Sequence, residues 1–367
     1  MAVIPADGIG PEIIQEAVKV LNTVSELDGG IGFDFKSFPW GCEYYLRTGE
    51  MMEKGGIDTL RGFDAILLGA VGAPGKVPDH VSLWGLLLPI RKTFDQYANL
   101  RPIKLLRGVR GPLRDKGPED IDFVVVRENT EGEYSGVGGR VHIGTPFEVA
   151  IQSNIFTRTA VERVIRYAFE LARRRNGKKR VAGITKSNAC QYSMVFWDEV
   201  FHEVAREYPE IETSLIHVDA ASMYLITRPE SFDVIVASNL FGDILTDEGA
   251  AIQGSIGLAP GANLNPDRKF PSMFEPIHGS APDIAGKGIA NPIATIWSAA
   301  MMLDFFGRDD LGAAVLGAIE NVIVEGRTLT PDMGGRARTW DVGDAICSEL
   351  RKAAGAGGRG EVAATDR

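Results

Sequence analysis

The chain has 367 residues, 39 Lys and Arg against 49 Asp and Glu, and a net charge of −10. With 44% hydrophobic and 24% charged residues it reads as an α/β enzyme of one large or two medium domains. The acidic balance disfavours nucleic acid as a partner, because the one concentrated basic run, Arg173-Arg174-Arg175-Asn176-Gly177-Lys178-Lys179-Arg180, suits a solvated helix end.

From the start, Met1 to Ile4 is a short apolar run, then Ala6-Asp7-Gly8-Ile9-Gly10-Pro11-Glu12 leads into a helical pattern at Ile13, Ile14, Ala17, Val18, Val20 and Leu21. Strand, glycine loop and helix make a βα unit. The third glycine of GxGxxG is absent, so the loop is not a dinucleotide fingerprint. Phe33 to Phe38 alternates as a strand, and Gly62 to Gly72 encloses a buried one. Trp84 to Arg101 sets Arg91 and Arg101 around a short helical pattern, with Pro102 forcing an extended exit. Arg127 follows the β-branched run Phe123-Val-Val-Val. Three arginines at the ends of separate elements either converge on one dicarboxylate or pair singly with surface acids.

Glycine-rich Glu131 to Arg140 and the alternating Phe147 to Phe156 suggest a hairpin arm of the kind that makes dimers. Val161 to Arg175 is an amphipathic helix, Val181 to Lys186 a strand, Ser193 to Tyr208 a helix, and Leu215 to Asp219 a strand ending in an aspartate. The buried strand Phe232 to Ala237 leads directly into Asn239-Leu-Phe-Gly-Asp243-Ile-Leu-Thr-Asp247. On a helix, Asp243 and Asp247 stand one turn apart on one face. That pair reads equally as a hard-cation site and as a solvated acidic turn. Residues 253–271 are rich in Gly and Pro, and Met273 to Pro292 is a loop of small residues able to hold a flat ligand. Helices follow at Thr295–Phe306, Leu311–Val324 and Thr339–Lys352, and residues 353–367 form a disordered tail. No stretch approaches a membrane span, and the start lacks a signal-type charged and apolar run. Three cysteines, Cys42, Cys190 and Cys347, without metal-type spacing point to a reducing cytoplasm.

Asp7-Gly-Ile-Gly-Pro-Glu12, Arg91 to Arg101 with Asn99-Leu-Arg-Pro, Arg127-Glu-Asn-Thr-Glu-Gly-Glu-Tyr134, Thr185-Lys186-Ser-Asn188, Asn239 to Asp247 and Glu275-Pro-Ile-His278-Gly-Ser-Ala-Pro-Asp283-Ile-Ala-Gly together resemble the β-decarboxylating dehydrogenases. These are the isopropylmalate, isocitrate, homoisocitrate and tartrate/D-malate enzymes, and the resemblance runs from about Ala2 to about Leu350. It implies a two-domain, non-Rossmann α/β fold of the isopropylmalate dehydrogenase type with an intersubunit arm. Residues 1–97 and 249–352 would form the cofactor-side domain, and 98–248 the second domain with the dimer interface. It implies NAD-dependent oxidation and decarboxylation of a small 2-hydroxy dicarboxylate by a homodimer with shared active sites.

On matching positions Arg91, Arg101 and Arg127 would hold carboxylates. Asp243, Asp247 and the partner subunit's Asp219 would hold Mg²⁺ or Mn²⁺, with a K⁺ requirement left open. The partner subunit's Lys186 would be the base and Tyr134 the acid. Asn188 would lie near the nicotinamide, with Glu275, His278, Gly279, Ser280, Ala281, Asp283 and Asn291 also on the cofactor. Asp283 would accept from the ribose 2′-OH and repel a 2′-phosphate, favouring NAD⁺ over NADP⁺. Ser82-Leu-Trp84-Gly, Trp40-Gly-Cys-Glu-Tyr-Tyr45 and Gly257 to Leu264 resemble the tartrate/D-malate branch, and Trp84 would narrow the pocket for a C4 substrate. The alternative is 3-isopropylmalate. A catalytically silent relative would be expected to have lost a ligand or the lysine, and none is missing.

Overall fold

Ten strands of one mixed sheet carry the fold, with helices on both faces; the computed structural model describes residues 1–357. The strands are β1 (Ala2–Ala6), β2 (Lys36–Ser37), β3 (Ala65–Ala70), β4 (Ala98–Lys104), β5 (Asp122–Glu128), β6 (Gly132–Val141), β7 (Val149–Ile155), β8 (Arg180–Thr185), β9 (Glu212–His217), β10 (Val234–Ala237), β11 (Pro260–Leu264) and β12 (Ser272–Pro276). The large sheet runs β2-β1-β3-β12-β11-β4-β5-β10-β8-β9, and β6 and β7 form a separate hairpin. Pairing is parallel on both flanks, among β2, β1, β3 and β12 and among β5, β10, β8 and β9. It is antiparallel at the centre, where β11 pairs with β12 and β4, and β4 with β5. This mixed centre separates the fold from an all-parallel doubly wound sheet.

The apolar runs follow from burial on both faces. Along β5, Val124 and Val126 face Phe169, Trp197 and Phe201, whereas Phe123 and Val125 face Ile184, Leu225 and Leu245. On the opposite flank Leu67 and Phe274 pack with Leu21, Ile296 and Ile319, while Ile66, Leu68 and Met273 pack with Trp40, Leu86 and Phe94.

Several expectations need correction. Only Lys36–Ser37 of the Phe33 to Phe38 run is strand, because this edge segment pairs with β1 through those two residues alone. Residues 253–271, read as Gly/Pro loop, contain β11, and the next stretch begins with β12. Proline hid them, since it argues against a central strand. Pro260 opens β11, and Pro102 sits in β4 where the pairing to β11 stops at Leu100, so no ladder N–H is missed on that side. Strand β9 stops at His217, which puts Asp219 in the first turn of the Val218–Thr227 helix. The last helix, Thr339–Gly357, runs past residue 352 through alanines, the strongest helix formers. The rest of the expected tail, 358–367, lies outside the described residues.

Asp7 ties the first βα loop to two others. Its Oδ1 accepts from the Cys42 N–H at 2.7 Å and its Oδ2 from the Gly72 N–H at 2.9 Å, all buried. The backbone beside it is equally constrained: Gly8 has φ +58, and a Cβ there would lie 1.9 Å from the Ser280 carbonyl. Asp7→Ala should therefore leave two buried donors unanswered and lower the unfolding free energy by about 2–4 kcal/mol in urea denaturation, with Asp7→Asn losing less.

Candidate functional site

Strand register assembles the site. Asn263 of β11 stands directly opposite Asn99 of β4, and Asn99 directly opposite Arg127 of β5. Residues directly opposite across antiparallel strands share a face, as do positions two apart, which adds Arg101 on β4 and, through Gly261, Glu275 on β12. Arg91 joins them from the last turn of the Leu88–Thr93 helix. A cavity of about 550 Å³ is lined by Arg91, Asn99, Arg101, Arg127, Tyr134, Asp243, Glu275 and His278, with Trp84 and Leu87 on its apolar wall.

The Asn239–Ile252 helix brings the carboxylates, and Gly242 lets it approach: a Cβ there would lie 2.7 Å from the Arg127 side chain. Arg127 pairs with Asp243 Oδ1 and also donates to Asn239 Oδ1 through Nε (3.0 Å) and Nη2 (2.7 Å). Arg101 lies 3.5 Å from Asp243 and 4.0 Å from Asp247, and donates to Thr246 Oγ1 at 2.5 Å. Arg91 pairs with Glu275 at 2.7 Å. Burial pulls both Arg101 and Arg127 below the usual guanidinium range, and their proximity to each other adds to this for Arg127. Burial alone would raise Asp243, but Arg127 and Arg101 outweigh it and hold the carboxyl below its ordinary value. Tyr134 donates to Asp243 Oδ2 at 2.9 Å, and burial together with that carboxylate pushes its phenol up to about 12. The phenol therefore keeps its proton at neutral pH.

Not every expected residue lies here. Lys186 and Asp219 pair with each other at 2.6 Å, partly exposed, and neither lines the cavity. Their strands, β8 and β9, sit outside β10 at the sheet edge, so sharing a strand end with Asp243 does not bring them to it within one chain. Asn188 is exposed beside them. His278 and Gly279 line the cavity. Ser280 is buried, its carbonyl accepting from the Ile9 N–H at 2.9 Å, and Asp283 is exposed on the loop beyond. Asn291 is committed to structure: its Nδ2 donates to Asp332 at 3.0 Å and its Oδ1 accepts from the Ile293 N–H at 3.0 Å. Sequence reading passed over Asn263 and Lys92. Lys92 lies 4.4 Å from the Trp84 ring and donates to the Tyr134 and Ser135 carbonyls, bracing the cavity wall. Asn263 entered only as part of the Gly257 to Leu264 stretch, and neither residue was given a role in the site, since both act through tertiary contacts.

For a divalent cation, Asp243 and Asp247 are hard oxygen donors on one helix face. Among the described residues no cluster of three or more His, Cys, Asp or Glu side chains stands close enough to hold a metal by itself. Two protein carboxylates suit Mg²⁺ or Mn²⁺ when substrate and water complete the octahedron, so the donors fit such an ion.

The family described as isocitrate/isopropylmalate dehydrogenase matches residues 1–346. D-malate dehydrogenase [decarboxylating] of Escherichia coli (strain K12) is 55% identical over 353 residues, covering 95% of this chain and 97% of that protein. Tartrate dehydrogenase/decarboxylase of Pseudomonas putida is 50% identical over 359 residues, covering 96% and 98%. The crystal structure of isocitrate dehydrogenase from Methylococcus capsulatus superposes with a TM-score of 0.85 at 34% identity, covering 95% of this chain and 98% of that one.

Two outcomes follow from the electrostatics. Asp243→Ala should lower stability by about 1–3 kcal/mol, less than a fully buried pair because Asp243 is one-third exposed. Malonate should then raise the melting temperature of the variant more than that of the wild type. Burial lowers the His278 pKa, so the unfolded chain takes up that proton first. Its contribution to stability should be constant above the unfolded value, near 6.5, and decline as pH falls below it; His278→Gln should flatten that decline in melting curves from pH 7.5 to 5.

Proposed function

The chain belongs to the isocitrate/isopropylmalate dehydrogenase family, and on that premise we propose that it oxidises and decarboxylates a small 2-hydroxy dicarboxylic acid with NAD⁺ and Mg²⁺ or Mn²⁺. D-malate, giving pyruvate and CO₂, is the substrate of first choice, with tartrate a second. The observation that carries this reading is the set of three buried guanidinium groups facing two carboxylates in one small cavity. Trp84 narrows the wall against a larger alkyl group.

Arg91, Arg101 and Arg127 bind and orient the two carboxylates of the substrate. Asp243, Asp247 and the partner subunit's Asp219 would hold the metal, which would supply Lewis-acid polarisation of the substrate oxygens, and the nicotinamide would supply the hydride acceptor. The partner subunit's Lys186 takes the hydroxyl proton as C2 is oxidised. Loss of CO₂ breaks the bond between C3 and its carboxylate and leaves an enolate, which Tyr134 protonates at C3 through the phenol that rests on Asp243. Asn188 lies toward the nicotinamide. Glu275, His278 and the loop to Asn291 face the cofactor, with Asp283 toward the ribose 2′-OH.

The division into 1–97 with 249–352 and 98–248 belongs to the same proposal, as does a homodimer in the cytoplasm. The β6–β7 hairpin supports the dimer, since it exposes Val137, Val141, Ile143, Phe147 and Ile151. No helix among the described residues is long and apolar enough to cross a membrane.

NADH absorbance should rise with D-malate, NAD⁺ and Mn²⁺, with CO₂ released in equal amount. Asp243→Asn should lower kcat/KM by at least a thousandfold, and Asp283→Lys should erode the preference for NAD⁺ over NADP⁺. Turnover of 3-isopropylmalate in preference to D-malate would reject the substrate assignment.

A further inference from the structure

Beneath the arginines lies a buried amide junction with a single workable arrangement. Asn263, with no exposure at all, accepts through Oδ1 from Asn99 Nδ2 and from Asn129 Nδ2, both at 2.9 Å. Its Nδ2 donates to Glu275 Oε1 at 2.7 Å. Turning the amide over would set an NH₂ against two NH₂ groups and an oxygen against a carboxylate, so the network itself determines the orientation. Serine is too short for this span, and aspartate would face Glu275 with like charge.

The same Glu275 Oε1 also receives Arg91 Nη2 at 2.7 Å. One carboxylate oxygen is thus pinned between an amide and a guanidinium. Arg91 keeps an Nε that is buried with no hydrogen-bond partner among the described residues. A guanidinium and a carboxylate ordinarily prefer a two-pronged pairing that would consume this donor. The pull of Asn263 on Oε1 opposes such a pairing and leaves the donor available to a ligand.

We infer that Asn263 is a positioning residue for carboxylate recognition: by anchoring Glu275 it keeps Arg91 from closing on Glu275 and preserves a free donor for the substrate carboxylate. This rests on the hydroxy dicarboxylate reading above. Asn99 and Asn129 act one step further back, orienting Asn263 from β4 and from the end of β5.

The test is a double-mutant cycle in the full-length enzyme with Mn²⁺. D-malate affinity is measured by isothermal titration calorimetry, and KM and kcat by NADH formation. Asn263→Ala should weaken D-malate binding and raise its KM roughly ten- to hundredfold, the scale of one charge-assisted hydrogen bond, with kcat changed less than about threefold. In a Glu275→Gln background, which lacks the competing carboxylate, the same substitution should cost less than about threefold. An equal cost in both backgrounds would mean a structural role only and would overturn the inference, as would wild-type affinity in Asn263→Ala. If Asn263→Ala does not fold, Asn263→Ser, which is too short to reach Glu275 and adds no charge, is held to the same criteria. A wild-type protein that neither binds nor turns over a 2-hydroxy dicarboxylate overturns the proposed function and this inference with it; wild-type turnover without the cycle's asymmetry overturns this inference alone.

Discussion

Burying three guanidinium groups in one cavity is the constraint from which the rest of the architecture follows. Desolvated cations are costly unless each has a carboxylate and its remaining donors are satisfied. Arg127 and Arg101 find Asp243, and Arg91 finds Glu275. The two carboxylates come from opposite flanks of the sheet, Glu275 from β12 and Asp243 from the helix after β10. The compensation that makes the arginines tolerable therefore also ties the two flanks together.

The reversal of strand direction at the sheet centre is what makes this convergence possible. With β4 and β11 antiparallel to their neighbours, Asn263, Asn99 and Arg127 fall in one row, and Arg101 and Glu275 lie two positions along. A uniformly parallel sheet would offer its strand ends instead. Gly242 completes the geometry by letting a helix lie against the stem of Arg127, so that Asp243 reaches a guanidinium that is almost wholly buried.

One chain holds the carboxylate-binding half of the proposed chemistry more completely than the proton-transfer half. Tyr134 is already on Asp243, whereas Lys186 and Asp219 hold each other at the far edge of the sheet. Because they are paired, a second copy in the proposed dimer that delivered one would deliver the other. The hydrogen bond from Lys186 holds the Asp219 carboxyl below its ordinary range, and in the proposed dimer that carboxylate would exchange its present partner for a new one. The apolar exposure of the β6–β7 hairpin provides the surface on which such a copy would rest.

Much of this was legible without coordinates. Periodicity located the apolar strands and the amphipathic helices, because burial on one or two faces imposes a spacing that composition cannot hide. The spacing of Asp243 and Asp247 placed both on one helix face, and the motif order identified the family. The proline-bearing central strand β11 was lost, since a rule that holds for uninterrupted ladders fails where proline only opens a strand, as Pro260 does, or lies two residues beyond the pairing, as Pro102 does. Whether the three arginines met or dispersed was not decidable from local pattern, because each taken alone fitted a surface ion pair better; only the family resemblance brought them together. Only the register of β12, β11, β4 and β5, with the Leu88–Thr93 helix brought against them, put the arginines in one cavity, joined Glu275 to Arg91 and gave Asn263 its function. Those contacts link residues as much as 184 positions apart, and no local pattern in the chain records them.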